Sequence, residues 1–408
     1  MQASFNRLAI AAACAATLAP LAHADTKLAI TVSHDLSIAR PSETITVAWP
    51  KVNNALPNAI IQRIAVKDSA GRVLAHQVTN IAPQIKDPKN VGAAYGELIF
   101  QHSFAAGEKK ASFTVEKIDT VAPVFAPKVS ARYVQERLDD FAWENDKVAH
   151  RIYGPALGAP APAGVTKEVL ASSGVDVWFK RVPYPIIERW YNKGHDHYHV
   201  DQGEGMDMYS VGKSRGAGGT GVWKEGALHT SLNYASWKVL ANGPIRAIFE
   251  LSYDTWDAGG AKVAERKRFT VDAGHYLDQI DSTFTFASPD KLIVAVGLSK
   301  APWDKNQTAK ASITQSAAEG NMVQWIDQST NGSMGTAVVL PSAAGFADDA
   351  LNHLALAPAA SGIAVRYLAG AAWSGAGEIT SADAWKAYVS AAALRFRNPV
   401  TVSVSTIK

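Results

Sequence analysis

One pattern recurs along this chain more than any other: short runs in which apolar and polar residues alternate. Residues 27–32 (KLAITV) and 43–49 (ETITVAW) follow it, and 64–68 (IAVKD) leads into the turn 69–72 (SAGR) and an extended return over 73–77. Further runs lie at 247–253, 267–271, 280–286 and 400–404. Successive side chains on a strand face opposite sides, so such runs make half-buried strands. Helix signals concentrate at 381–394, where Ser381 suits an N-cap and Asp383 falls in the first turn. An all-β fold is therefore expected. The simplest arrangement is a small N-terminal β-sandwich over 25–125 followed by a larger antiparallel sandwich over 126–408. A chain of 408 residues, 47% of them hydrophobic, can fill cores of that size.

The start of the chain reads as a targeting segment. Arg7 precedes an Ala-rich apolar stretch over 8–21, and Ala22-His23-Ala24 is a small-x-small cleavage site. A signal peptide over 1–24, cleaved after Ala24, implies a periplasmic or secreted protein. The stretch is too short for a membrane span, and no other segment approaches one. Cys14, the only cysteine, lies within it, so the processed chain would have no disulfide and no thiolate. A formal charge of +3 with no basic block argues against nucleic acid as a partner.

Polar chemistry concentrates in 194–209, GHDHYHVDQGEGMDMY. If this stretch is extended, His195, His197, His199 and Asp201 share one face. Three imidazoles and a carboxylate suit zinc, manganese or iron, with His197, His199 and Asp201 the preferred divalent-metal ligands. The same row also suits metal-free acid–base work. Glu204, Asp207 and Tyr209 follow and would complete an acid–base set, or simply form a carboxylate-stabilised turn. A second group, Asp140, Trp143, Glu144, Asp146, Arg151 and Tyr153, holds the residue types that grip a hydroxyl-rich ring. A buried salt-bridge network would use the same types. The glycine-rich stretch 216–224 is expected to be a flexible rim loop, with Trp223 available for stacking. No Gly-x-Ser-x-Gly or His-Glu-x-x-His motif occurs, which sets aside serine hydrolases and zincin proteases.

The segments RLDDFAWEND (137–146), RIYGPAL (151–157) and HVDQGEGMDMYSVG (199–212), with GPIR (243–246) and DAG (272–274), resemble the bacterial family called domain of unknown function 4861 over nearly the whole processed chain. The resemblance implies exported proteins with a galactose-mutarotase-like β-supersandwich, associated with breakdown of polysaccharides that often contain uronic acids. On that footing the expected function is elimination or dehydration at a uronic acid of an oligosaccharide. His199 would be base or metal ligand and Tyr209 acid or base. Arg137 or Arg151 would hold the uronate, and Asp201, Glu204 and Asp207 would orient the site. Two other expectations stand beside it. One is a glycoside hydrolase with a carboxylate pair drawn from Glu144, Asp146, Glu204 and Asp207; the other is a non-catalytic sugar-binding or mutarotase-like protein.

Overall fold

The structure, a computed structural model, describes residues 26–79, 96–287, 291–303 and 308–407. The expected signal peptide, its cleavage position and Cys14 lie outside the described residues. Strands take up 50% of the described residues and helices 13%, so the fold is all-β, as the alternation requires.

Two sheets form the N-terminal sandwich. One runs in the order Thr401–Ile407, Lys27–Ser33, Lys110–Lys117, Ile64–Asp68, Val73–Leu74; the other is Arg40–Ala48, Glu97–Phe104, His76–Thr79. Leu28, Ile30 and Val32 alternate inward and meet Ile45, Val47, Phe100, Phe113 and Val115. The turn after Ile64–Asp68 is tied by Asp68, whose carboxylate accepts the N–H of Ala70 (2.9 Å) and of Arg72 (3.0 Å).

The last strand departs from a division of the chain at residue 125. Thr401–Ile407 pairs antiparallel with Lys27–Ser33, from Lys27 opposite Ile407 to Ser33 opposite Thr401. Val400, Val402 and Val404 pack on the N-terminal core. Alternation marks 400–404 as a strand, but nothing local says which edge it joins. Deleting 400–408 is expected to cost on the order of 2–3 kcal/mol from the three part-buried valines alone. It also turns Lys27–Ser33 into an open edge. Thermal unfolding should shift down, and size-exclusion chromatography should show association of the shortened chain.

The larger part is built on an eight-stranded sheet in the order Ser236–Ala241, Arg246–Ala258, Ala261–Asp272, Leu277–Phe286, Ala364–Trp373, Met334–Val339, Asn321–Gln328, Ala309–Ser316. A five-stranded sheet containing Ala217–Lys224, Leu292–Ser299 and Asn352–Ala359 covers part of it. Val222, Val294, Val296 and Leu298 from that sheet share one apolar cluster with Phe249, Leu251, Phe269 and Ile280. The expected rim loop at 216–224 is instead a strand of this sheet, buried through Val222. Its glycines are there for closeness: a Cβ on Gly218, whose φ is +110°, would lie 2.4 Å from the Cβ of Ala369. The helix Ala382–Arg397 starts where expected, with the Ser381 hydroxyl accepting the Ala384 N–H. Among the described residues no helix is long and apolar enough to cross a membrane.

A third sheet carries the polar chemistry. Its order is Gly205–Met206, Val175–Lys180, Val148–Ile152, Asp140–Glu144, Ser130–Val134, all antiparallel. Alternation sorts its two faces. Phe141, Trp143 and Ile152 turn inward and join Phe249 and Phe269 in the main core. Ala142, Ala149 and Trp178 face the other way, under the short helices Ile187–Lys193 and His195–Tyr198, which contribute Trp190 and Tyr198.

Candidate active site

The strand register sets the site. Arg151 lies directly opposite Asp176 across the Val148–Ile152 and Val175–Lys180 pair. Its Nε donates to Asp176 at 2.7 Å, its Nη2 to Asp207 at 3.3 Å, and its Nη1 stands 3.7 Å from Asp140. The ring centroids of Trp178, Tyr153 and Tyr198 lie 5.3, 5.4 and 6.0 Å from the guanidinium carbon. Two hydroxyls close the cluster: Tyr153 donates to Asp176 (3.2 Å) and Tyr191 to Asp140 (3.5 Å). Arg151, Asp140, Asp176 and Asp207 are all buried. The backbone beside them is unusual, since Leu138 and Asp139 both have left-handed φ (52° and 67°). A Cβ on Gly154 would strike the Asp139 carbonyl at 1.9 Å, so only glycine fits where this bend passes.

One side of the cluster reaches the surface at His199. Its Nδ1 donates to the His195 carbonyl at 2.9 Å, because a carbonyl oxygen can only accept. Nε2 therefore carries the ring's lone pair, and it stands 3.6 Å from Asp207, beyond hydrogen-bond distance. The His199 side chain is 40% exposed while that of Asp207 is 2% exposed. Burial pulls the His199 imidazole below its ordinary range, so it is held neutral. Burial and the neighbouring Asp176 push Asp207 up to about 8, and burial pushes Asp140 up to about 6 against the pull of Arg151 and Arg137. A neutral base at the surface thus touches a carboxyl that keeps its proton near neutrality.

The histidine row is not extended. His195–Tyr198 is one helical turn, which puts His195 and His199 on one side, ring centroids 4.3 Å apart. Tyr198 turns inward, 4.7 Å from the Trp178 ring. The expected metal set of His197, His199 and Asp201 does not converge. Asp201 is bound by Arg181 and accepts the N–H groups of Gly203 (2.9 Å) and Gly205 (3.1 Å), which makes it a turn former. Among the described residues no group of three or more His, Cys, Asp or Glu side chains is placed to hold a metal.

Several other expected site residues are occupied elsewhere. Trp143 is core, its indole N–H donating to Asp278 at 2.7 Å. Glu144 is buried, binding Lys180 (2.6 Å) and the N–H groups of Ile186 and Ile187 at the start of a helix. Asp146 accepts the Gly274 N–H at 2.6 Å. Glu204 accepts from Tyr184 (2.9 Å), Arg189 (2.9 Å) and Trp190 (3.2 Å); against the upward push of burial, these bonds hold it below the usual carboxylate range. Tyr209 is buried in an apolar cluster with Val148, Phe179 and Trp373, and burial pushes its hydroxyl well up, away from acid–base use near neutrality. Trp223 sits on a different sheet, in the strand Ala217–Lys224. Arg137 pairs with Glu168 at 2.9 Å and lies within the electrostatic reach of Asp140 and Arg151. The structure thus brings Arg137, Asp140, Arg151 and Tyr153 from one motif together with His199 and Asp207 from the other. It adds Asp176, Tyr191 and Tyr198, for which the one signal was a lone aspartate in the apolar run VDVWFK.

Asp207 makes stability depend on pH. Folded, it holds its proton to about pH 8; unfolded, it releases it near 3.8. The folded state binds the extra proton between those values, so this contribution is full below about pH 4 and lost as pH rises toward 8. Thermal unfolding of Asp207→Asn against the natural chain from pH 4.5 to 8.5 should show the natural chain's relative stability falling across the interval. A flat difference would contradict the assignment.

The chain matches, over residues 32–402, the family described as domain of unknown function (DUF4861). It is 29% identical over 386 residues to "Uncharacterized protein P7" of Formosa agariphila, covering 92% of this chain and 93% of that one. Among solved structures, an alpha-mannosidase from Enterococcus faecalis aligns with 93% of this chain at 9% identity and a TM-score of 0.46. A glycosyl hydrolase family 38 protein from the same organism aligns at 8% identity and 0.46, again over 93% of this chain. This chain spans about half the length of each, 46% and 47%.

Proposed function

Since the chain belongs to the DUF4861 family, we propose that it is a carbohydrate-active enzyme that eliminates or dehydrates at a uronic acid of an oligosaccharide. The observation that carries this reading is the pairing of the half-exposed His199 Nε2 with the proton-bearing carboxyl of Asp207, 3.6 Å away. Elimination needs a base for the proton beside the carboxylate, a cation for the charge that develops there, and a proton for the departing oxygen. His199 removes the C5 proton; that electron pair forms the C4–C5 double bond as the C4–O bond breaks. The imidazolium then gives its proton to the departing oxygen. In this reading Arg137, part-buried beside the cluster and paired with Glu168, receives the uronate, since Arg151 is enclosed by three aspartates. Asp207 and Arg151 act as positioning residues, holding the electrostatics under His199. In this reading the leader over 1–24 takes the enzyme out of the cytoplasm, where polysaccharide fragments are met.

The test is incubation of the purified protein, with and without chelator, with saturated and unsaturated uronic-acid oligosaccharides, followed by mass spectrometry. Loss of one water, or chain cleavage without added water, supports elimination. Cleavage with uptake of water replaces it with hydrolysis. Binding with no mass change moves the protein to the sugar-binding class.

A further inference from the structure

A cavity lies on other elements, where the N-terminal sandwich, the eight-stranded sheet and the helix Ala382–Arg397 meet. Its volume is about 250 Å³, well above the ~10–15 Å³ needed to hold one water. Three guanidiniums reach it, those of Arg40, Arg246 and Arg395, against two carboxylates, Glu43 and Asp272. Both carboxylates are taken. Arg40 grips Glu43 through two bonds (3.0 and 3.1 Å), and Arg246 grips Asp272 through two more (2.6 and 2.7 Å). Arg395 pairs with no carboxylate among the described residues. It stands half-buried in the last turn of its helix, and burial and the nearby Arg40 both pull it below the ordinary guanidinium range. A guanidinium stays charged under such a pull, so the cavity holds one uncompensated positive charge in partly dry surroundings. Tyr388 and Phe396 from the same helix give it an aromatic wall, and Thr270 and Gln279 on the sheet opposite give it hydroxyl and amide groups.

We propose that this cavity is a second binding site, for a monocarboxylate the size of one sugar ring, with Arg395 as the carboxylate anchor. A planar fork meets a carboxylate bidentately. One apolar wall with a few fixed polar groups is the usual make-up of a small-molecule site. A hollow of about 500 Å³ adjoins it, sharing Gln279, Phe396 and Pro399 and adding Arg366 and Arg397. A longer acidic chain has room to continue there. The site stands independently of the reaction proposed above.

The test uses the full chain, with D-glucuronate as the probe and D-glucose as its neutral counterpart, in calorimetric titrations at low salt. Glucuronate should bind with Kd of ~1 mM and glucose at least about tenfold more weakly, a difference of ~1.4 kcal/mol. Arg395→Gln should weaken glucuronate about tenfold or more and leave the thermal midpoint close to that of the natural chain, and Arg395→Lys should restore part of the affinity. Arg137→Gln, at the active-site cluster, should leave this binding in place. The proposal is overturned if glucuronate binds no better than glucose, or if the binding seen in Arg137→Gln survives the further change Arg395→Gln. It is overturned equally if the binding disappears in Arg137→Gln while Arg395→Gln keeps it, which would put the ligand in the active site.

Discussion

Alanine at position 199 is expected to lower kcat/KM on a uronate oligosaccharide by ~10²–10⁴-fold, the usual contribution of a positioned acid–base group. The His195 carbonyl fixes the tautomer by accepting a hydrogen bond from Nδ1–H, which leaves Nε2 as the only basic atom of the ring. His199→Gln, which keeps hydrogen-bonding capacity but cannot accept a proton near neutrality, should lose as much. His197→Ala should change little, because the helical turn over His195–Tyr198 separates it from the side that His195 and His199 share. Added chelator should also change little, since Asp201 is engaged by Arg181 and two backbone N–H groups. Steady-state rates on one oligosaccharide decide the matter. Equal losses in His197→Ala and His199→Ala would restore the extended row, and an active His199→Ala would remove His199 from the chemistry.

Arg151→Met should cost about 3–5 kcal/mol of folding stability at neutral pH, the range for breaking a buried ion pair from one side. Three carboxylates, Asp140, Asp176 and Asp207, would be left around an apolar side chain with no cation between them. They escape part of that penalty by taking up protons. The loss should therefore be smaller at pH 5 than at pH 8, where the unfolded chain keeps them ionised and the folded one cannot. Urea unfolding at the two pH values measures both numbers. A loss below about 1 kcal/mol at pH 8 would mean that the cluster is hydrated and open, at odds with the burial of all four residues.

Which parts of this were legible in the sequence follows from how local each cause is. The helix at Ala382–Arg397 was legible because Ser381 caps it through its own hydroxyl. Ile64–Asp68 and its turn were legible because Asp68 ties the turn within four residues. The strand at Ala217–Lys224 was not, because its Gly218 answers to Ala369, about 150 residues onward, and nothing in the sequence there distinguishes close approach from flexibility. The histidine segment was misread for a related reason. In GHDHYH, alternation and a single helical turn both place His195 and His199 alike, and what decides is Tyr198 packing on Trp178 beneath it. In the site itself, Arg151 and Asp140 stood out as charges beside aromatics. Their burial, which makes them support rather than grip, depends on the helices 187–198 folding over the sheet.

The pairing of Lys27–Ser33 with Thr401–Ile407 has a consequence for how the chain is made. The first described strand has its outer neighbour about 370 residues further along the chain. Until Thr401–Ile407 is made, LAITV offers a bare row of amide groups to whatever strand comes near. A contact spanning the whole chain also closes slowly, because the entropy of so large a loop has to be overcome first. The nascent protein therefore has a vulnerable interval as long as the synthesis of the residues between the two strands, and the edge is sealed only when Thr401–Ile407 arrives.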